Sequence, residues 1–190
     1  FDNVNNNGGL TIHSDMRTVT GYSDVKSGLS AGATRMYVYA TFDKTAMDGG
    51  KLTGENRDNV TGYLRFDTSG NDKTVTMKIA TSLISVDQAK KNLEQEIGPY
   101  DTLESIKAKA KKMWNDKLKI IDVEGASYDQ LVTLYSNMYR LFLYPNVAYE
   151  NTGTVKSPVY KYASPFSDPL GESTETETGA KIMEGRPYVN

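Results

Sequence analysis

Two different periods share this chain. Over the first 84 residues apolar positions recur at every second residue. In TRMYVYATF, Met36, Val38, Ala40 and Phe42 alternate with Arg35, Tyr37, Tyr39 and Thr41, the pattern of a half-buried antiparallel strand. VTGYLRF sets Val60, Leu64 and Phe66 against Thr61, Tyr63 and Arg65, and KTVTMKIAT carries Val75, Met77 and Ile79. The intervening DTSGND predicts a hairpin between these two runs. LTIHS and MRTVTGY predict weaker strands near the start, and the polar, glycine-rich stretch from Asp43 to Asn59 predicts a loop. The whole reads as a partial antiparallel sheet or sandwich.

At Ser85 the period becomes helical. SVDQAKKNLEQEI opens with Ser85 as N-cap and Gln88 three residues on, a capping box. Val86, Ala89, Leu93 and Ile97 form its stripe, and Gly98-Pro99 stops it. DTLESIKAKAKKMWNDKL repeats the device with Asp101 and Glu104, over a stripe of Leu103, Ile106, Ala110, Met113, Trp114 and Leu118. KIIDVEG reads as a short strand or an extended linker. SYDQLVTLYSNMYRLFLYP brings a third box, Ser127 with Gln130, and a stripe of Leu131, Leu134, Tyr135, Met138, Leu141 and Phe142 that ends before Pro145. Beyond it no period holds. A polar, proline-rich stretch with an acidic Ser/Thr run is expected to be a long irregular loop lying against a neighbour. The last helix then carries more apolar surface than the chain can cover, and one side of it is expected to stand exposed or to be covered by a second copy or by the tail.

Composition narrows the chemistry. The net charge of −2 and pI near 5.5 give no global field for nucleic acid or an anionic membrane. No apolar run approaches the length of a membrane span. Cysteine is absent, which removes disulfides and thiolate metal sites and fits both a cytoplasmic and a secreted protein. The chain opens on FDNVNNNGGL without an initiating Met and closes on GRPYVN, which reads as a piece of something longer.

His13 is the single histidine, so a Ser–His–Asp triad needs that residue and a His-rich metal site has no ligands; it reads as an ordinary strand residue. Asp67, Asn71 and Asp72 superficially resemble a calcium loop, but the twelfth position, where an EF-hand needs Glu, is Lys78. Asp43, Asp48, Glu55 and Asp58 read as solvated loop carboxylates rather than a cation site. Lys107 to Lys112 read as the wet side of an amphipathic helix, and the Asn59 sequon is short enough for chance. Tyr37, Tyr39 and Tyr63 could line an aromatic platform on one sheet face, against the simpler reading of half-buried tyrosines.

Three blocks carry a resemblance. Ser82, Ser85, Ala89, Asn92, Leu93 and Glu96 come first; then Ala110, Trp114, Asn115 and Leu118; then Tyr135, Tyr139, Arg140, Leu143 and Pro145. In this order and spacing they resemble glycoside hydrolase family 92, the bacterial exo-acting α-mannosidases. TVTGY and RMYVYATFDK are similar to late strands of that family's sandwich, so the likeness runs roughly from Leu10 to Val147. The closing YVN resembles the approach to the family's Trp-Asp-Thr-x-Arg segment.

The resemblance implies an α+β fold: a partial antiparallel β-sandwich followed by linker helices and the first helix of an (α/α)6 toroid. Residues 1–83 would be part of the N-terminal sandwich, 84–126 the helical linker, and 127–190 the start of the catalytic domain, its first helix with a long loop. It implies an inverting hydrolase of α-mannosides, secreted or cell-surface, in which a bound calcium assists. Inversion needs two carboxylates set across the sugar bond, and none of the 24 acids matches a family position with that role. No catalytic, substrate-binding or metal-ligating residue is therefore assigned, calcium is expected only in the intact enzyme, and the chain alone is expected to be inactive. The expected partners are α-mannoside glycans and the remainder of its own catalytic domain, with no nucleic acid. A carbohydrate-binding or structural sandwich module of a bacterial surface protein is the alternative.

Overall fold

The computed structural model describes residues 7–25, 35–55, 60–143, 146–164, 174–175 and 181–189. Asp58, the Asn59 sequon and Pro145 lie outside them. Contacts divide the chain into two compact units, Phe1–Glu96 with Tyr149–Gly185, and Ile97–Ala148 with Arg186–Asn190.

The first unit is built on β1 (Gly8–Ile12), β2 (Thr18–Ser23), β3 (Met36–Phe42) and β6 (Met77–Ser82), antiparallel in the order β1-β2-β3-β6. The register places Ile12 beside Val19, Val19 beside Ala40, and Ala40 beside Ile79. Directly paired residues point to the same face, so one face is apolar across all four strands. Leu10, Val19 and Ala40 are its buried centre, with Ile12, Phe42 and Leu64 packed against them. Leu64 belongs to a second layer, the ribbon of β4 (Asp48–Lys51) and β5 (Gly62–Arg65). Gly62 lets that layer come close, since a Cβ there would sit 2.5 Å from Leu10 Cδ2. The cover is partial. A cavity of about 210 Å³ opens between the layers, and Met77 and Ile79 remain 49% and 44% exposed.

The expected hairpin across DTSGND does not form. β5 pairs with β4 and β6 pairs with β3, so the stretch is a crossover between sheets. The Asp67 and Asp72 carboxylates accept the Ser69 and Thr74 amides, and Lys44 Nζ bonds both the Asp72 carbonyl and its carboxylate. β4 lies inside the stretch expected to be loop. Its sequence, DGGK, has no apolar period because the side chains of Leu64 and Tyr63 lie over Gly49 and Gly50.

Helix α1 (Val86–Glu96) packs on β3 and β6 and buries Gln88, Ala89 and Leu93. Its cap differs from the expected box. Ser85 Oγ accepts the Gln88 amide, but Ser82 Oγ, not Gln88, accepts the Ser85 amide. The Gln88 side chain bonds Asn92 and the Asn151 carbonyl instead. The stretch after Pro145, expected to be an irregular loop, contains β8 (Glu150–Asn151), β9 (Tyr160–Ser164), β10 (Thr174–Glu175) and β11 (Lys181–Glu184), an antiparallel sheet in the order β10-β11-β9-β8. Strands of two to five residues separated by Pro and Gly are too short to display a period.

The second unit is a helical hairpin, α2 (Leu103–Leu118) and α3 (Tyr128–Leu141), with β7 (Asn146–Val147) paired to β12 (Tyr188–Val189). KIIDVEG, between the helices, forms turns and bends rather than a strand. Trp114 meets Tyr139 at 4.5 Å between ring centroids. Ser127 and Gln130 form the expected box. On α2 the box is shifted by one residue to Thr102 and Ser105. Asp101 is drawn elsewhere: its carboxylate accepts the Gly98 amide, the Ser105 hydroxyl and both oxygens' worth of Lys109 ammonium. The stripes find little cover. Nothing on α2 is buried, and of the six stripe residues of α3 only Met138 is. The expected exposed side of α3 is present, with Leu141 76% exposed.

Leu93→Ala is expected to cost about 2–5 kcal/mol in chemical denaturation, the range for a buried leucine, whereas Leu141→Ala should stay within about 0.5 kcal/mol. Equal costs would contradict the burial described. The ammonium of Lys109, with the Gly98 amide and the Ser105 hydroxyl, lowers the Asp101 pKa to about 2, below an unfolded value near 3.9. Its contribution is therefore complete above pH ~4 and lost as pH falls through about 2. An NMR titration of its carboxyl carbon should show that low midpoint, and a midpoint near 4 would contradict it.

Candidate functional site at the junction of α1 and the returning strand

The residues that carry chemistry by type are mostly used as turn and cap groups. His13 follows β1 rather than lying in it, and its Nε2 is 2.9 Å from Thr20 Oγ1. Asp15 accepts the Arg17 and Thr18 amides and the Thr18 hydroxyl across the β1–β2 turn. Asp43 accepts the Thr76 amide at 2.9 Å. Asp48 lies 3.4 Å from Arg65 and accepts the Tyr63 hydroxyl. Hydrogen bonds to the ionised form pull a carboxyl pKa down, and Asp15, Asp43, Asp67, Asp72, Asp101 and Asp116 are all shifted that way. Among the described residues no three His, Cys, Asp or Glu side chains gather as a metal site.

The aromatic platform is not assembled. Tyr37 is buried and Tyr63 sits on the other sheet. Arg35 stacks 3.7 Å above the Tyr22 ring, with Tyr37 at 5.9 Å, while its guanidinium bonds both oxygens of Asp24 at 2.8 Å. The strand tyrosines near β3 thus frame a stacked arginine. On α2, Lys109 and Lys112 are paired with Asp101 and Asp116.

Polar side chains converge instead between α1 and β8. Gln88, Asn92 and Gln95 stand at i, i+4 and i+7, one face of the helix. Glu150 Oε1 accepts the Leu83 amide and its Oε2 accepts from Asn92 Nδ2, both at 2.7 Å. The second hydrogen of Asn92 goes to the Thr81 carbonyl at 3.0 Å. The Asn151 carbonyl accepts from Gln88 Nε2 at 2.9 Å and Gln95 Nε2 at 3.2 Å, and Asn151 Nδ2 donates to Gln95 Oε1 at 2.8 Å. Lys91 Nζ bonds the Thr152 carbonyl. No buried side-chain nitrogen or oxygen among the described residues lacks a partner. Sequence reading took Asn92 only as a matched position and missed the junction. The amide stripe was the available signal, but its partners lie some 60 residues away in a stretch without a period.

Residues 88–177 match the Glycosyl hydrolase family 92 catalytic domain. An uncharacterized secreted glycosidase of Arthroderma benhamiae is 31% identical over 110 residues, 56% of this chain and 14% of that protein. A family GH92 inverting mannosidase of Bacteroides thetaiotaomicron superposes over 95% of this chain and 24% of its own, with a TM-score of 0.76 and 27% identity. A family GH92 alpha-mannosidase of the same organism, in complex with mannoimidazole, shares the fold over 95% of this chain and 23% of its own, with a TM-score of 0.67 and 18% identity. The chain therefore spans about a quarter of these solved relatives and less of the curated one. The matched stretch opens inside α1 at Gln88 and takes in the α2–α3 hairpin and the strands from β7 to β10. Sequence and fold thus agree in likening the chain to glycosyl hydrolase family 92.

Proposed function

We propose that this chain is the seam of an exo-acting α-mannosidase, where a β-sandwich passes into a ring of helices. Residues 1–83 supply sandwich strands, 84–126 the helical link, and α3 the first helix of the catalytic domain that 127–190 begins. The observation that carries this reading is the catalytic-domain match across α2 and α3, on which Leu103, Met113 and Leu141 stand exposed. Solved relatives that are mannosidases support the substrate class, and the relative described as secreted supports export. No helix among the described residues is long and apolar enough to cross a membrane.

Inversion requires a general acid with a raised pKa and a carboxylate base, roughly 6.5–9.5 Å apart with room for water. Among the described residues every carboxyl with a resolved shift is moved down, not up, by amides, hydroxyls or lysines. The proposal therefore places the acid, the base and any calcium ligands elsewhere in the parent enzyme. A sugar-binding module is the weaker reading, because Tyr37 is buried and Tyr63 lies on a different sheet.

The test compares the purified 190-residue chain with the protein expressed from the full gene, on an α-mannoside with and without a calcium chelator. The full-length protein should release mannose with inverted configuration and lose activity on chelation, and the shorter chain should release none. Mannose release by the shorter chain alone would overturn the proposal.

A further inference from the structure

The chain leaves the first unit after Glu96 and re-enters it at Tyr149. On re-entry β8 and β9 join no strand of the four-stranded sheet; they form their own. The polar attachment of this returning strap to α1 runs through side chains, with Glu150 holding the Leu83 amide and Asn92, and Gln88, Gln95 and Lys91 holding the carbonyls of Asn151, Thr152 and Gly153.

Downstream, the same Asn151 organises the loop to β9. Its Oδ1 accepts the Gly153 and Val159 amides and its Nδ2 donates to the Thr154 carbonyl. Thr152 and Val159 close the loop through the backbone, and Thr154 and Ser157 close its tip. Gly153 is required there, since a Cβ would lie 2.3 Å from the Ser157 carbonyl oxygen. One asparagine therefore links helix docking to loop order: its carbonyl faces α1 while its side chain holds the loop closed.

We infer that Glu150 and Asn151 form a lock that orders residues 149–164 on docked α1, making this strap a part of the first unit that is released separately from the four-stranded sheet. Both halves of the lock, Gln88 to Gln95 and Glu150 to Asn151, fall inside the stretch matching the catalytic domain. The tie from that stretch to the sandwich strands runs through two bonds, the Leu83 amide to Glu150 and Asn92 to the Thr81 carbonyl of β6. It holds whatever the substrate is, and its test reads no activity.

The experiment is amide hydrogen exchange by NMR on the full 190-residue chain, comparing the parent with Glu150→Ala, Asn92→Ala and the double variant. Exchange at Leu83, Thr152 and Val159 is expected to rise about tenfold or more in each single variant, while the β2–β3 ladder stays within about twofold. The double variant should lose no more protection than the worse single one, because one lock is opened once. Glu150→Gln, which keeps one acceptor oxygen, should give an intermediate rise and serves if Glu150→Ala folds poorly. Unchanged exchange at Thr152 and Val159, an equal rise in the β2–β3 ladder, or additive losses would overturn the lock.

Discussion

Helix α1 has to satisfy two surfaces at once, and its docking conditions most of what surrounds it. Toward β3 and β6 it is apolar, burying Ala89 completely and leaving Leu93 only 6% exposed. Burying one leucine contributes about 2 kcal/mol. Beside that stripe Gln88, Asn92 and Gln95 receive the returning strand through hydrogen bonds with a net value of about 1 kcal/mol each. The asymmetry matters more than the sum. Removing Glu150 would take the acceptor from the half-buried Leu83 amide and from Asn92 Nδ2 at once, so both contacts of the junction loosen together. Gln88 is where the demands conflict. Its amide completes the cap on Ser85, but its side chain serves the strand, and Ser82 takes over the bond that a capping box would make.

The helical hairpin obeys a different constraint. Its two helices touch through Trp114 and Tyr139, and Leu103, Met113 and Leu141 each stand at least 70% exposed. Capping and an Asp101–Lys109 pair shape the helix ends without covering these side chains. The half-open sandwich tells the same story from the strand side, with a cavity between layers and Met77 and Ile79 bare. Apolar surface on this scale is surface meant to be covered, which agrees with a chain that spans a quarter of its solved family 92 relatives.

What the sequence made legible followed from length and period. The three helices, the Ser127–Gln130 box and the strands around Val38 and Ile79 repeat their pattern long enough to be read. Pairing was not legible, because DTSGND has the composition of a hairpin turn while its flanking strands find β4 and β3 instead. β4 was hidden because two glycines leave no side chain to alternate. The strands after α3 were hidden because two to five residues cannot show a period, and because their anchors, Glu150 and Asn151, look like solvated loop residues until α1 is placed against them. The α2 cap was misread by one residue because Asp101 is the stronger capping type, yet Lys109 and the Gly98 amide claim its carboxylate.

The α1-centred unit buries a core of its own, whereas the α2–α3 hairpin buries only Met138 of its stripes. Denaturant unfolding of the full chain separates the two most directly. Trp114, the single tryptophan, reports the hairpin, and NMR methyl signals of Val38 and Leu93 report the unit around α1. Two transitions are predicted, with the Trp114 fluorescence change at lower denaturant than the methyl change. A single coincident transition would contradict the account.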